Sequence, residues 1–324
     1  VERADGVGDD ARGYVPSNTK GVIPVFAALN RRKESIAVDL RTEEGFGVIR
    51  RIIRDADVLI HNFRPGVMQR LGLDYDDVAQ INPQIIYCGI SGFGELGPLR
   101  EKAANDVVMQ AFSGLMSFIG HPGQDPVRVP VPVIDLTTAL YVVVGILSAI
   151  NERNRSGQGN KIEVSLLESA LTLVNQTITT QLMTGYQPVK MGSSSHGFGL
   201  PNQAFQTSDG WVVVSVLNAA MWGRFCDALG AGDLAEDERF RTLQDRHLHR
   251  PELSAAVGEV TARFTTQECI ARLEAAGISC SPINSIADVA SHPQVQALGT
   301  IDTVDVGGNS VPVVGSPIRM QRST

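Results

Sequence analysis

The 324-residue chain is 43% hydrophobic and 19% charged, the proportions of a folded globular protein with one large domain or two ordinary ones. Its 28 basic and 35 acidic side chains leave a net charge of −7, which argues against the broad basic face of a nucleic-acid surface but not against a local cluster for an anion. No uninterrupted apolar run reaches the roughly 18 residues of a membrane span, and the four cysteines (Cys88, Cys226, Cys269, Cys280) form no CxxC pair, so they read as reduced thiols of a cytoplasmic protein.

Residues 1–30 are rich in Gly, Asp, Pro and Asn and read as an irregular region carrying Arg3, Arg12 and Lys20. Glu34–Leu40 alternates like a short strand. Thr42 caps a helix whose first turn holds Glu43 and Glu44 and whose apolar face is Phe46, Ile49, Ile52 and Ile53. Ala56–Ile60 and Ile85–Ile90 read as buried strands, with a helix starting at Val67 between them. Strand, helix, strand, helix, strand implies a parallel sheet with right-handed crossovers, a Rossmann-like α/β layer. The cluster Ser91–Pro98 has no helix behind it, so no pyrophosphate turn is inferred. Val107–Met116 and Leu136–Arg153 are helical, the second read as a buried core helix. Lys161–Leu166 is a strand and Glu168–Leu182 a helix. Met191–Pro201 is Gly/Ser-rich, the composition of a hinge or active-site loop. Beyond it come a hairpin around Ser208-Asp209-Gly210, helices near Ala219–Leu229, Pro251–Arg263 and Thr266–Ala276, and strands at Ile278–Ile283 and Ile301–Val314.

Asp135 follows the proline-broken run Val131–Ile134 and opens the longest helical pattern. A lone acid there is either an N-cap or a nucleophile held where the helix dipole favours negative charge. Asp106 likewise suits a cap for its own helix. His196 reads as a hydrogen-bonded or exposed loop histidine, and His247 and His249 lack a third ligand for a metal.

A series of strings in one order resembles the family III CoA-transferases, which include formyl-CoA transferase and the carnitine and bile-acid CoA-transferases. The related alpha-methylacyl-CoA racemases share that fold. The strings are Asn30–Gly45, Ala56–Val67, Leu71-Gly72-Leu73, Asn82-Pro83, Ser91–Gly94, Gly97-Pro98, Gln110–Met116, Ile134-Asp135, Gly145–Ala149, Ser156–Gly159 and Val164–Glu168. The resemblance runs from residue 1 to about 320. It implies a first strand and helix upstream of Val1, a tail downstream of Thr324, and Glu2-Arg3 as the end of the second family strand.

The resemblance further implies an α/β fold. Residues 1–190 would be a large Rossmann-like CoA-binding domain, 191–203 a linker or active-site loop, 204–300 a small α+β domain, and 301–324 strands returning toward the large domain. It also implies an interlocked, ring-like homodimer. The activity it implies moves coenzyme A from an acyl-CoA to a small carboxylic acid through an aspartyl intermediate. No tightly bound cofactor, metal, nucleic acid or membrane is implied. Asp135 matches the catalytic aspartate and Asp106 an assisting acid. Arg12 and Arg70 match contacts to the CoA phosphates and adenosine, and Asn62, Phe63, Val67 and Leu71 match the walls around adenine and pantetheine. Lys102 stands one residue from a CoA-contacting lysine, whose place is taken by Ala103. Gly192, Gly197 and Gly199 correspond loosely to a glycine loop over the reactive aspartate. Asn105 stands where the racemases carry a proton-transferring histidine, and an amide cannot do that work. Racemase chemistry, with Asp135 as one proton carrier, is the first alternative, and a non-catalytic CoA-binding relative the second.

Overall fold

The computed structural model describes residues 1–14, 21–197 and 199–321, so Lys20, Phe198 and Arg322–Thr324 lie outside the described residues. The chain is mixed α/β and divides into two compact units. The first comprises Val1–Met109, Val131–Leu173 and Ile286–Thr324, and the second Gln110–Pro130 and Val174–Ser285.

The first unit is built on a three-stranded parallel sheet of Val58–His61, Ile86–Ser91 and Asn160–Ser165, with Ile86–Ser91 in the middle. The middle strand is hydrophobic without alternation, as a strand covered on both faces must be, and Ile86, Tyr87 and Cys88 are buried. Against it packs the Glu43–Asp55 helix, capped as expected by Thr42, whose Oγ1 accepts from Gly45 N–H at 3.0 Å. Ile49 and Ile53 of that helix join Val38, Met68, Leu73, Val78, Ile85 and Tyr87 in one core. The Asn82 amide donates to Ile53 O at 3.1 Å and Ala56 O at 2.8 Å, tying the helix end to the strand that follows.

The strand expected at Glu34–Leu40 shrinks to Ala37–Val38 and pairs in parallel with Glu2–Arg3 as a separate two-stranded piece. Its continuation stops where Asp39 turns its carboxylate onto Arg41 and its carbonyl onto the start of the next helix. The region 1–30, expected to be irregular, also holds a 3-10 turn at Asp10–Gly13 and a helix at Pro24–Asn30. Val107–Met116 is two helices, Asp106–Phe112 and Leu115–Phe118, broken at Gly114, and Glu168–Leu182 is likewise split at Val174 into Leu166–Leu173 and Asn175–Thr184.

The longest helix, Val133–Ser156, corrects the expectation of a buried core helix. Only Ile134, Thr138, Val142 and Ala149 are buried, a stripe one residue wide, whereas Leu136, Leu140, Tyr141, Val143, Val144 and Leu147 are exposed. Hydropathy along the sequence cannot tell a helix buried by its own chain from one covered by something else. By length and composition it is the one helix among the described residues that would pass as a membrane span. Its far end is fixed by Arg153, which pairs with Asp57 at 2.9 Å and donates to Gln84 O at 3.2 Å.

The second unit has an antiparallel sheet of Asn202–Gln206, Trp211–Ser215 and Ser279–Pro282, with Trp211–Ser215 central. The Ala219–Ala228, Arg250–Thr261 and Thr266–Ala275 helices contribute Phe225, Val257 and Leu273 to one core with Val212, Val214 and Trp222. Arg246 is fully buried there, its guanidinium carbon 5.2 Å from the Trp222 ring and its Nη1 donating to Phe240 O at 2.7 Å.

Gly159 sets the register of the third parallel strand. A Cβ at that position would lie 2.1 Å from Ile85 O, just where Gly159 N–H and Asn160 N–H reach Pro83 O and Ile85 O. Gly159→Ala is therefore expected to cost about 2–4 kcal/mol, read as a lower urea midpoint. An unchanged midpoint would mean the strand edge yields freely.

Candidate functional site

The Val133–Ser156 helix opens with Pro132 at its N-cap, a residue with no side-chain acceptor for the first free N–H groups. A carboxylate from elsewhere fills the gap. Asp106 Oδ2 accepts from Ile134 N–H at 2.8 Å and from Asp135 N–H at 3.4 Å. The sequence suggests Asp106 as the cap of its own helix, but Asn105 does that, its Oδ1 accepting from Val108 N–H at 3.1 Å. Asp135 is then the third residue of the long helix, inside the first turn and not at the junction before it. It is exposed in the single chain. Even so, the protein packed around it raises its carboxyl above the usual range, and the nearby Asp106 carboxylate adds to the rise. Those two effects outweigh the helix dipole, which favours the anion. Ile134, next to it, is anchored in a small core with Phe93, Met109 and Ala170, so the turn carrying Asp135 is fixed from beneath.

A cavity of about 240 Å³ lies in the first unit at the C-terminal ends of the Val58–His61 and Ile86–Ser91 strands, where open α/β sheets collect ligands. His61, Phe63, Tyr75 and Tyr87 give it aromatic walls, and Arg64 and Lys161 line it as well. Lys161 is held between Glu95, at 3.3 Å, and Glu163. His61 Nδ1 is buried without a partner, and burial pushes the ring's pKa down.

Of the residues singled out from the sequence for ligand contact, Phe63 lines this cavity. Asn62 is exposed beside it, and Val67, Arg70 and Leu71 are on and after the short Val67–Arg70 helix without lining it. Arg12 is engaged elsewhere: Glu2 takes its Nε and Nη2 at 2.7 and 2.6 Å, and the guanidinium lies 4.1 Å from the Phe26 ring centre. Lys102 is exposed, with Nζ 5.6 Å from the Phe93 ring.

The second unit holds a larger cavity of about 590 Å³. Gly192 and Gly197 line it, together with Phe118, Tyr186, His247 and Arg250. Gly199 does not line it and has a packing reason to be glycine, since a Cβ would lie 2.3 Å from Val216 O and 2.4 Å from Leu217 Cα. His196 is fixed between Val189 O at 2.9 Å and the Tyr186 hydroxyl at 3.2 Å. A carbonyl only accepts, so Nε2 carries the proton and Nδ1 accepts from tyrosine. Burial and the Arg250 charge push its pKa down, which keeps the ring neutral. The sequence pattern assigns no role to His61, Arg64, Lys161 or Arg250, although His61 and Arg64 both lie in the string Ala56–Val67.

Residues 1–324 match the family model described as CoA-transferase family III. The succinate–glutarate CoA-transferase of Agrobacterium fabrum is 34% identical over 331 residues, spanning 100% of this chain and 82% of that protein. The acetyl-CoA:oxalate CoA-transferase of Acetobacter aceti is 34% identical over 97% of this chain and 80% of its own length. A crystal structure of a CAIB/BAIF family protein from Brucella suis superposes with a TM-score of 0.84 at 36% identity, covering 99% of this chain and 84% of that one.

The Asp106–Asp135 pair sets two expectations. A carboxyl whose pKa is higher in the folded than in the unfolded state favours folding when protonated and loses that advantage as pH rises through the folded value. Asp135→Asn should therefore unfold at an equal or higher temperature than the parent at neutral pH, with the gap closing below roughly pH 4. A clear loss of stability at neutral pH would contradict the direction of the shift. Asp106→Asn keeps an oxygen for Ile134 N–H but removes the charge. It should cost about 1 kcal/mol and move the Asp135 titration to lower pH by carbon NMR. An unmoved titration would show that the two carboxylates do not interact.

Proposed function

Because the chain belongs to the family III CoA-transferases, we propose that it moves coenzyme A from an acyl-CoA thioester to a carboxylic acid, with Asp135 as the nucleophile. The observation that carries this reading is the division of labour at the start of the Val133–Ser156 helix. Asp106 satisfies the opening N–H groups, so the Asp135 carboxylate is not consumed as the cap.

In the proposed reaction an Asp135 oxygen attacks the thioester carbonyl. The C–S bond breaks, giving an acyl-aspartyl anhydride and CoA thiolate. The thiolate attacks the aspartyl carbonyl, releases the donor acid as its carboxylate and leaves an aspartyl-CoA thioester. The incoming carboxylate then attacks that thioester, CoA leaves again as thiolate, and its attack on the new acyl carbon yields the product acyl-CoA and restores Asp135. No proton is gained or lost across the cycle. Splitting one acyl transfer between two carboxylates into anhydride and thioester steps avoids a direct exchange that neither acid can perform alone. A carboxylate with a raised pKa is the better nucleophile while still ionised at neutral pH, and the environment of Asp135 works in that direction.

The aromatic cavity at the strand ends suits the planar base of CoA, with Arg64 at hand for phosphate. Phe63 would form part of its wall, with Asn62, Val67, Arg70, Leu71 and Lys102 as further contacts. Arg12 would have to exchange Glu2 for phosphate to contribute. The sheet with its flanking helices is read as part of a Rossmann-like domain. The apolar outer face of the Val133–Ser156 helix supports an interlocked homodimer in which a second copy covers it. Relatives named for succinate, glutarate and oxalate point to short dicarboxylic acids as the substrate class. Racemase chemistry finds no support, since Asn105 is engaged as a helix cap and an amide is neither an acid nor a base near neutral pH.

Asp135→Ala should lower transfer from succinyl-CoA to glutarate by more than about a thousandfold with an unchanged circular dichroism spectrum, and the parent enzyme quenched in turnover should carry CoA on the peptide containing Asp135. Near-normal turnover in the variant would end this mechanism. Light scattering should give the mass of two chains, and a monomer at micromolar concentration would contradict the covered helix face.

A further inference from the structure

The cavity of the second unit contains a feature to which the bond-making steps at Asp135 assign no role. Arg250, the first residue of the Arg250–Thr261 helix, lines the cavity half-buried. Its Nη1 donates to Ser194 Oγ at 2.9 Å, Ser195 O at 3.0 Å and Met191 Sδ at 3.3 Å, and its Nη2 to His247 Nδ1 at 3.2 Å. Each of these partners is neutral; His247 must be uncharged at the nitrogen that accepts. Among the described residues no Asp or Glu forms an ion pair with Arg250, and none lines the cavity. A half-buried guanidinium left without a counter-charge is costly, and the cost falls when an anion arrives. The remaining walls suit a short acyl chain: Phe118, Ile119 and Pro188 are apolar, and Thr177 and Thr180 bring hydroxyls. The volume lies within the range of small-molecule sites.

We propose that this cavity is a carboxylate-recognition pocket in which Arg250 holds the free carboxylate of a short dicarboxylic acid. The choice of a dicarboxylic acid rests on the transfer reading above; the requirement for an anion rests on the uncompensated guanidinium alone. Arginine suits the task because its planar fork presents parallel donors to both carboxylate oxygens. Ser194 and Ser195 steady the guanidinium from the 191–197 loop, so ligand binding also stiffens that loop.

The test is calorimetric titration of the full chain with glutarate, its neutral diamide and the monoacid butyrate. Glutarate should bind and the diamide should not. Arg250→Gln, which keeps a hydrogen-bonding side chain but no charge, should weaken glutarate by at least about tenfold while leaving CoA binding unchanged, and Arg250→Lys should recover part of the loss. In the transfer assay the same variant should raise KM for glutarate without raising KM for the acyl-CoA. Should the variants fold poorly, hydrogen exchange on the parent protein gives an independent reading, with glutarate slowing exchange in residues 191–197. Equal glutarate affinity in Arg250→Gln, no glutarate binding by the parent, or no protection of the loop would overturn the pocket. Parallel loss of glutarate and CoA binding would also overturn it, because Arg250 would then act on the fold and not on the acid. Glutarate binding that depends on Arg250 in a protein unable to transfer CoA would sink the transfer reading and leave the pocket standing. Transfer with an unchanged glutarate KM in Arg250→Gln would do the reverse.

Discussion

A helix that begins with proline has no side chain of its own to receive its first N–H groups, and the organisation of this site follows from how that need is met. Asp106, 28 residues before Ile134, supplies the missing acceptor. One hydrogen-bonded carboxylate thereby joins two segments far apart in sequence and fixes the first turn of the longest helix. It also places a like charge near Asp135, whose carboxyl it pushes in the same upward direction as the protein packed around it does. Capping normally removes an acid from chemistry; here it falls to Asp106, and Asp135 is left outside it.

Local pattern made the buried strands legible. Ala56–Ile60 and Ile85–Ile90 read as apolar strands between helices and fold as Val58–His61 and Ile86–Ser91, and the hairpin of the second unit is equally legible, because solvent exclusion writes itself directly into composition. Partnerships across the sequence were not legible. Asp106 looked like a cap for the helix it begins, and nothing nearby signalled that Asn105 would take that job and release it. Glu34–Leu40 alternates correctly, yet pairing is a property of two strands, and only Ala37–Val38 found a partner. The apolar pattern Leu136–Arg153 reads as core, yet most of the Val133–Ser156 helix is exposed, because hydropathy reports the need for cover and not its source. Arg250 carries no signal in the sequence, and only the fold brings it against Ser194 and Ser195 of the 191–197 loop.

The two cavities differ in how they balance charge. In the first unit Lys161 is flanked by Glu95 and Glu163, so its charge is balanced, and aromatic rings stand beside charged side chains in the wall. In the second, Arg250 meets only neutral acceptors and the cavity keeps a positive bias. The first cavity suits a planar group read by stacking, and the second an anionic group read by charge. Arg246, four residues earlier, is a third case: fully buried over Trp222, it braces the backbone of its own unit and lines neither of these cavities.

The narrow buried stripe of the Val133–Ser156 helix has a consequence for how the protein exists over time. Leu136, Leu140, Val144 and Leu147 leave a newly made chain adhesive along most of that helix. Joined as the interlocked pair proposed above, two such chains could not separate while folded, so mixing tagged and untagged populations would report unfolding and not dissociation. The lifetime of the assembly would then be a kinetic property of the fold, set by the height of the unfolding barrier and indifferent to dilution.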